Sequence, residues 1–261
     1  MKLFEYIDKI NSKGEKALSV FLTAGFPKKE NFVELALDIL NAGADMLEIG
    51  IPFSDPLADG PVIQHSSHIA LENGMKVKDC INFAKEIKSK SDKPIIFMSY
   101  LNPLVAFGIE KFIEECVKVG VEGLIIPDLV PEEYTNILCG TKKEIDIILL
   151  STPTTTIDRL KNIDMLSKGF IYFVSVNGTT GVRELKDEKV LLPIKNAYSE
   201  IKLNKMLVGF GISDEESVKY FSPVCDGVIV GSAIVSKLNK PNGKEEAVYL
   251  VKKLKAACLN N

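Results

Sequence analysis

Short apolar runs alternate with longer segments of helical periodicity along the 261 residues of the chain. Each run is nearly continuous in apolar residues, as expected for strands of a parallel sheet that helices cover on both faces. The eight predicted strands are residues 18–24, 46–50, 94–100, 123–127, 145–150, 170–176, 206–209 and 227–230. Repeated βα units of this kind indicate an α/β fold with a parallel sheet.

The segments between the predicted strands carry apolar residues three and four positions apart, as in residues 31–43. This periodicity predicts amphipathic helices. Several of them end in a glycine just before the next strand (Gly43, Gly120 and Gly169), which fits a left-handed helix cap. A further helix around residues 3–10 precedes the first strand, where it could close the floor of a barrel.

Eight strands within this length favour a closed barrel over an open doubly wound sheet. The first predicted strand is followed by Thr-Ala-Gly-Phe-Pro at residues 23–27, not by the GxGxxG loop of a dinucleotide-binding fold. No linker or change of composition divides the chain. We therefore expect residues 1–261 to form one domain, a (β/α)8 TIM barrel with an additional N-terminal helix.

Composition and charge exclude several classes of protein. Hydrophobic residues make up 46% of the chain and charged residues 26%, which suits an ordinary globular protein. The 32 basic and 35 acidic residues are interspersed and give a net charge of −3, without the one-signed block of a nucleic-acid-binding surface. The sequence contains no apolar stretch of membrane-spanning length and no secretion signal. We expect no nucleic-acid or membrane partner.

The cysteines and histidines indicate neither a disulfide framework nor a metal site. Five cysteines are scattered at positions 80, 116, 139, 225 and 258, without CxxC spacing. Free thiols of this kind are typical of a reducing compartment, so we expect a cytoplasmic protein. His65 and His68 lie three residues apart, but no third ligand accompanies them, and we predict no metal.

The predicted second strand places an acid, Glu48, inside an apolar run at the strand end where barrels carry their active sites. Burial without a cation raises the pKa of a carboxyl towards neutrality, which suits a general acid and base. The alternative is an ion pair with a lysine inside the barrel. No lysine stands at the carboxyl end of another predicted strand.

A long loop, residues 53–61, follows this strand and contains two acids, Asp55 and Asp59. Long loops at this position usually have a function. Asp59 precedes Gly-Pro, a pattern that favours the start of a helix, so it could also be only a helix cap. The other polar candidates at strand ends are Thr23, Tyr100, Asn102, Asp128, Ser151, Tyr172 and Ser175.

Glycine-rich stretches follow the last three predicted strands, at residues 177–182, 209–213 and 231–234. Glycine allows the backbone to approach a ligand closely, and N–H groups at a helix N-terminus attract anions. The chain has only two arginines, so an anion would have to be bound mainly by backbone N–H groups or lysines. These stretches predict a phosphate site, with tight turns alone as the alternative.

Residues 47–64, LEIGIPFSDPLADGPVIQ, resemble the signature of tryptophan synthase alpha subunits, a long and specific motif. Shorter matches follow in family order at residues 98–103, 126–129, 179–181, 209–212 and 230–234, so the resemblance spans nearly the whole chain. It implies a lyase of tryptophan biosynthesis that cleaves indole-3-glycerol phosphate to indole and glyceraldehyde 3-phosphate without a cofactor.

The resemblance also implies roles for individual residues. Glu48 falls at the family's acid and base position, Asp59 at its second carboxylate, and Tyr172 at a tyrosine that positions Glu48. The residues expected to line an apolar indole slot are Phe21, Ile126 and Phe210. The expected phosphate-binding residues are Gly181, Gly211, Gly231 and Ser232, with Thr180 in a loop that closes over the site.

A tryptophan synthase beta subunit is the partner that the resemblance implies, in an alpha2beta2 complex. The loops at residues 55–56 and 102–103 are expected to lie on the active-site face that contacts it. Two alternatives remain. One is a different reaction on the same barrel, such as an isomerase or synthase of the pathway or a stand-alone indole-releasing lyase. The other is a regulatory subunit with vestigial catalysis, against which the presence of both carboxylates argues.

Overall fold

The computed structural model describes residues 2–138, 145–175 and 188–259. In these residues one parallel sheet contains nine strand segments: β1 (Ala17–Thr23), β2 (Met46–Gly50), β3 (Ile95–Met98), β4 (Gly123–Ile125), β5 (Asp146–Ile148), β6 (Leu150–Ser151), β7 (Phe170–Val174), β8 (Lys205–Gly209) and β9 (Gly227–Val230). Their order across the sheet is β5-β4-β3-β2-β1-β9-β8-β7-β6. All eight predicted strands are confirmed.

The predicted fifth strand is divided into β5 and β6 by Leu149. β5 pairs with β4, and β6 pairs with β7, so this one stretch of chain joins the two ends of the sheet into a barrel. The division coincides with a change in the hydrogen bonding of Leu149. The N–H of Leu149 donates to Oγ of Ser167 at 3.1 Å instead of to a neighbouring strand, while its carbonyl accepts the N–H of Tyr172 at 3.0 Å.

Helices follow the strands, as the periodicity predicts. Within the described residues they are α1 (Leu3–Asn11), α2 (Phe32–Asn41), α3 (Pro61–Glu72), α4 (Val77–Lys88), α5 (Leu101–Phe107), α6 (Ile109–Val119), α7 (Pro131–Leu138), α8 (Ile157–Leu166), α9 (Glu188–Glu200), α10 (Glu215–Phe221), α11 (Ser232–Leu238) and α12 (Gly243–Leu259). In the part of the chain that the structure covers, none of them has the length and apolar character needed to cross a membrane.

The core has two parts. A large cluster fills the space between sheet and helices, and a smaller one fills the lower barrel interior with side chains that include Met46, Ile96 and Phe170. Leu3 and Ile7 of α1 belong to the inner cluster and are fully buried. The prediction that the N-terminal helix closes the barrel floor is therefore confirmed. Burial of each such side chain stabilises the fold by about 1.5–3 kcal/mol.

The register of the sheet determines which side chains meet above this floor. Phe21 of β1 and Ile96 of β3 are the Cα partners of Glu48 on β2. Because the strands are parallel, their carboxyl ends lie at one rim, and the loops that carry Asp59 and Phe210 begin there. The fold thus gathers the predicted site residues of several strands at one end of the barrel.

Candidate active site

Glu48 lies inside the barrel with no exposed surface. Its Oε1 accepts a 2.7 Å hydrogen bond from Oγ of Ser19, whereas Oε2 has no hydrogen-bond partner among the described residues. Burial raises the pKa of Glu48 to about 7, and the bond from Ser19 opposes that rise. Neither oxygen is paired with a lysine in the described part of the chain, so the structure does not support the structural ion pair.

Asp59 lies in the loop after β2 and is partly buried. Burial raises its pKa to about 6, and a hydrogen bond from Tyr100 acts in the opposite direction. Its N–H donates to the carbonyl of Pro56 at 3.0 Å. The helix-cap interpretation is wrong, because α3 has Gly60 at its N-cap position and no side-chain cap. The carboxylate of Asp59 is therefore bonded to Tyr100 and does not cap α3.

Tyr100 holds the loop in place from the end of β3. Its Oη accepts the N–H of Ala58 at 2.9 Å, and the same hydroxyl is hydrogen-bonded to Asp59. The Phe53 ring packs on the Tyr100 ring with centroids 5.4 Å apart. One tyrosine thereby orients both the backbone and the carboxylate of the loop. The sequence indicated Tyr100 only as one of several polar residues at strand ends.

Tyr172 on β7 is buried on the inner face of the barrel. Burial raises the pKa of its phenol well above the ordinary value, and the nearby charges of Glu48 and Asp59 add to the effect. A Cβ added to Gly209 would overlap the Tyr172 hydroxyl. Glycine at the end of β8 therefore makes room for the tyrosine.

Two predicted residues of the indole slot, Phe21 and Phe210, lie near Glu48 and Tyr172. Phe210 meets Tyr172 edge to face, with centroids 6.3 Å apart. The Phe21 ring lies against Gly50, where a Cβ would overlap it, and its Cβ is near Gly231. Ile126 is fully buried and belongs to the large cluster, whereas its neighbour Ile125 belongs to the inner one. Its predicted place in the indole slot stays a prediction.

The predicted phosphate loops lie side by side, because β8 and β9 are paired. Phe210 and Gly211 both have positive φ, 66° and 79°, which turns the chain sharply after β8. Gly231 is the N-cap of α11, and Ser232 is its first residue and exposed. The predictions for Thr180 and Gly181 lie outside the described residues.

Three of the other sequence candidates have hydrogen-bond partners at the rim, whereas the buried hydroxyl of Ser151 has none among the described residues. Oγ1 of Thr23 and Oγ of Ser66 are hydrogen-bonded at 2.6 Å, which ties β1 to α3. Asp128 accepts the N–H of Leu101 at the start of α5. Ser175 donates to the carbonyls of residues 209 and 210 and so braces the loop after β8. These side chains support the rim.

Ser19 is the functional candidate that the sequence reasoning missed. It stands in the middle of β1, two residues before Phe21, and is fully buried. The available signal was a small polar residue inside an apolar strand, which must find a hydrogen-bond partner when buried. His65 and His68 do not add to the site, since His68 pairs with exposed Glu72 and the described residues contain no cluster of metal ligands.

Comparison with known proteins identifies the family of this chain. The family model described as Tryptophan synthase alpha chain matches residues 7–260. The tryptophan synthase alpha chain of Caldanaerobacter subterraneus subsp. tengcongensis is 42% identical over 248 residues, which cover 94% of this chain and 93% of that protein.

Solved structures agree with the sequence comparison. Tryptophan synthase subunit alpha from Legionella pneumophila str. Paris superposes with a TM-score of 0.89 at 32% identity, covering 100% of both chains. A chain of tryptophan synthase from M. tuberculosis, in an open form with BRD0059 bound, gives a TM-score of 0.89 at 28% identity, covering 99% of both chains. This chain belongs to the tryptophan synthase alpha chain family.

Proposed function

We propose that Glu48 and Asp59 carry out the family's reaction in this chain, with Glu48 as proton donor and acceptor and Asp59 as the partner of the indole ring. The chain is a carbon–carbon lyase of tryptophan biosynthesis that cleaves indole-3-glycerol phosphate to indole and glyceraldehyde 3-phosphate. The main support for this proposal is that Glu48 is fully buried and that one of its oxygens has no hydrogen-bond partner among the described residues.

The chemistry requires one proton to enter and one to leave. Neutral Glu48 donates a proton to C3 of the indole, and positive charge develops at the ring nitrogen. The bond between C3 and the glycerol carbon then breaks, its electron pair returns to the ring, and the hydroxyl proton of that carbon passes to the Glu48 carboxylate. Glu48 ends in the protonated form in which it began, so one residue with a pKa near neutrality can serve both transfers.

Asp59 would stabilise the positive charge that develops at the ring nitrogen, which requires its ionised form. Its pKa of about 6 leaves it mostly charged at neutral pH, while the pKa of Glu48 of about 7 keeps much of that residue neutral. Different environments thus give two carboxyl groups different roles. Tyr172 lies near both and would position Glu48, and Phe21 and Phe210 would line the indole slot.

We expect kcat/KM to depend on pH as a bell. Activity should fall below about pH 6, as Asp59 gains a proton, and above about pH 7, as Glu48 loses one. The rate of indole release at low substrate concentration, measured from about pH 5 to 9, gives the profile. A profile that is flat above neutrality would contradict the role of Glu48 as a proton donor.

The phosphate of the substrate is proposed to bind at the adjacent loops around Gly211, Gly231 and Ser232, where the backbone turns sharply and α11 begins. Ser232→Asp should weaken binding of glycerol 3-phosphate by about tenfold or more, because like charges then face each other. The helix should tolerate the change, since acids are favourable in a first helical turn.

Isothermal titration with glycerol 3-phosphate measures this effect. The control is Ser236→Asp, which adds the same charge to an exposed position one turn further along α11. Equal affinities for Ser232→Asp, Ser236→Asp and the unmodified chain would place the phosphate elsewhere.

Exposed apolar side chains at the catalytic rim support a protein partner. Leu57, Val105 and Val130 are 92%, 57% and 44% exposed, and they lie in the loop with Asp59, in α5 and just before α7. The family works with a beta subunit, and we infer an alpha2beta2 complex in which this rim is covered. A partner that prefers the ordered loop increases the population of that state by its difference in affinity.

We expect a cognate beta subunit to raise the rate of indole-3-glycerol phosphate cleavage by about 5- to 150-fold, the usual span of coupling between sites. Pro56→Ala should reduce this stimulation more than the basal rate, because it removes the ring that restricts the backbone of the loop with Asp59 and takes away no catalytic group. The bond from the N–H of Asp59 to the carbonyl of residue 56 is kept. Initial rates with and without an excess of beta subunit provide the measurement. A fast isolated chain that the beta subunit leaves unchanged would favour the stand-alone lyase.

We also infer a cytoplasmic location, one catalytic domain and no cofactor. Cys80, Cys116 and Cys225 are free thiols, and they and Cys258 are buried, which suits a reducing compartment. Burial raises the pKa of each of these thiols, which keeps them in the unreactive neutral form. The proposed proton transfers need only the carboxyl groups of the chain.

A further inference from the structure

We propose that Ser19 is a positioning residue of the lyase reaction, whose hydroxyl holds Oε1 of Glu48 so that Oε2 is the oxygen that exchanges protons with the substrate. This inference rests on the proposed role of Glu48. It adds a residue to the site that acts through the acid and base without touching the substrate.

The two oxygens of Glu48 differ in their surroundings. Oε1 accepts the 2.7 Å bond from Oγ of Ser19. Oε2 is buried and has no partner within the described ranges. A fully buried carboxyl oxygen without a partner is costly, and such a group is typical of a position that awaits a substrate. Oε2 can therefore bond to a substrate without competing with Ser19.

The position of Ser19 in β1 determines which way the carboxyl group turns. Ser19 is the Cα partner of Met46, whereas Phe21 is the partner of Glu48 itself. Ser19 is therefore one inward-facing position nearer the barrel floor than Glu48, because inward residues alternate along a strand. The bond holds Oε1 on the side of the barrel floor, so Oε2 is the oxygen that is not tied to that side.

The hydroxyl also tunes the charge of Glu48. A donor stabilises a carboxylate more than a neutral carboxyl, so Ser19 lowers the pKa that burial raises. The titratable groups that face the carboxylates are Tyr172 from β7 and Asp59 from the loop, with Tyr100 from the end of β3 bonded to Asp59. Within the described residues none of them is a cation. Ser19 therefore provides the hydrogen bond that keeps the carboxyl able to ionise near neutral pH.

Ser19→Ala tests the proposal. Without the hydroxyl, we expect kcat to fall about tenfold, KM to change little, and the alkaline limb of kcat/KM to move up by about one pH unit. A carboxyl ¹³C NMR titration should show the same upward movement in the pKa of Glu48 without reference to activity. Ser19→Thr, which keeps a hydroxyl on the strand, should restore the alkaline limb to its original position.

Ser222→Ala is the matched control for stability. It removes another hydrogen bond of a buried serine hydroxyl, to the carbonyl of Val218, and Ser222 lies before the amino end of β9, away from the catalytic rim. It should leave the pH profile unchanged. Should Ser19→Ala not fold, Ser19→Cys retains the side-chain volume with a weaker donor and should move the alkaline limb in the same direction.

The outcomes distinguish an error in the role of Ser19 from an error in the role of Glu48. If the Ser19 variants fold and their pH profiles and Glu48 titrations match the unmodified chain, while Glu48→Gln is inactive, the role of Ser19 is wrong and that of Glu48 stands. If Glu48→Gln itself retains its turnover, the proposed function fails, and the role of Ser19 fails with it. An equal fall of kcat in Ser19→Ala and Ser19→Thr, without a titration shift, would reduce Ser19 to a packing role.

Discussion

Replacement of Glu48 by Gln should lower the turnover of indole-3-glycerol phosphate by roughly 10² or more, because the amide can neither give a proton to C3 nor take one from the glycerol hydroxyl. Gln has nearly the same shape as Glu and can still accept the hydrogen bond from Ser19. Substrate binding should therefore remain close to that of the unmodified chain. Steady-state indole release, together with glycerol 3-phosphate affinity, separates the two effects.

The same variant should be more stable than the unmodified chain at alkaline pH. The pKa of Glu48 is raised from 4.5 to about 7 in the folded state, so the folded chain binds the proton more tightly. The stability contributed by this proton is complete below about pH 4.5 and is lost as the pH rises to about 7. The difference corresponds to about 3 kcal/mol, which Gln avoids.

Thermal unfolding measures this consequence. Glu48→Gln should raise Tm by several degrees at about pH 8 and change it little at about pH 4.5. Loss of activity combined with this gain of stability is characteristic of a buried catalytic carboxyl, whereas a structural carboxyl would lose stability when replaced. Retention of more than about a third of the original turnover would contradict the role of Glu48 as proton donor and acceptor.

The strands could be predicted from sequence because a short continuous apolar run between amphipathic helices fits few structures other than a buried parallel strand. The inner-face position of Glu48 follows from the same regularity. The division of the fifth strand at Leu149 could not be predicted, since it coincides with a bond from Leu149 to Ser167, eighteen residues away. Side-chain hydrogen bonds across a fold carry no periodic signal.

The role of Ser19 depends on register in the same way. A serine within an apolar strand indicates a buried hydroxyl, but its partner on β2 is fixed only when the strands are aligned with Ser19 opposite Met46. Tyr100 was visible as a polar residue at a strand end, yet its bond to Ala58 depends on the path of a loop. Residue types were therefore predictable at this site, and their pairings were not.

Replacement of Asp59 by Asn should also lower turnover by roughly 10² or more, because the amide keeps the shape of the side chain but not the charge that stabilises the indole nitrogen. Asp55→Asn is the matched control in the isolated chain, since Asp55 belongs to the same loop and is exposed. It should leave the basal rate of indole release close to that of the unmodified chain.

The pH profile of Asp59→Asn is the decisive part of the test. The phosphate of the substrate also gains a proton near about pH 6, so an acid limb in the unmodified chain has two possible origins. If Asp59 must be ionised, the limb at its pKa of about 6 disappears in Asp59→Asn, and the small remaining rate no longer falls with acid. If the phosphate is responsible, the limb stays in the variant. A rate equal to that of Asp55→Asn, accompanied by a lower Tm, would show that Asp59 supports only the loop, because the loss of a group that stabilises the transition state must lower the rate.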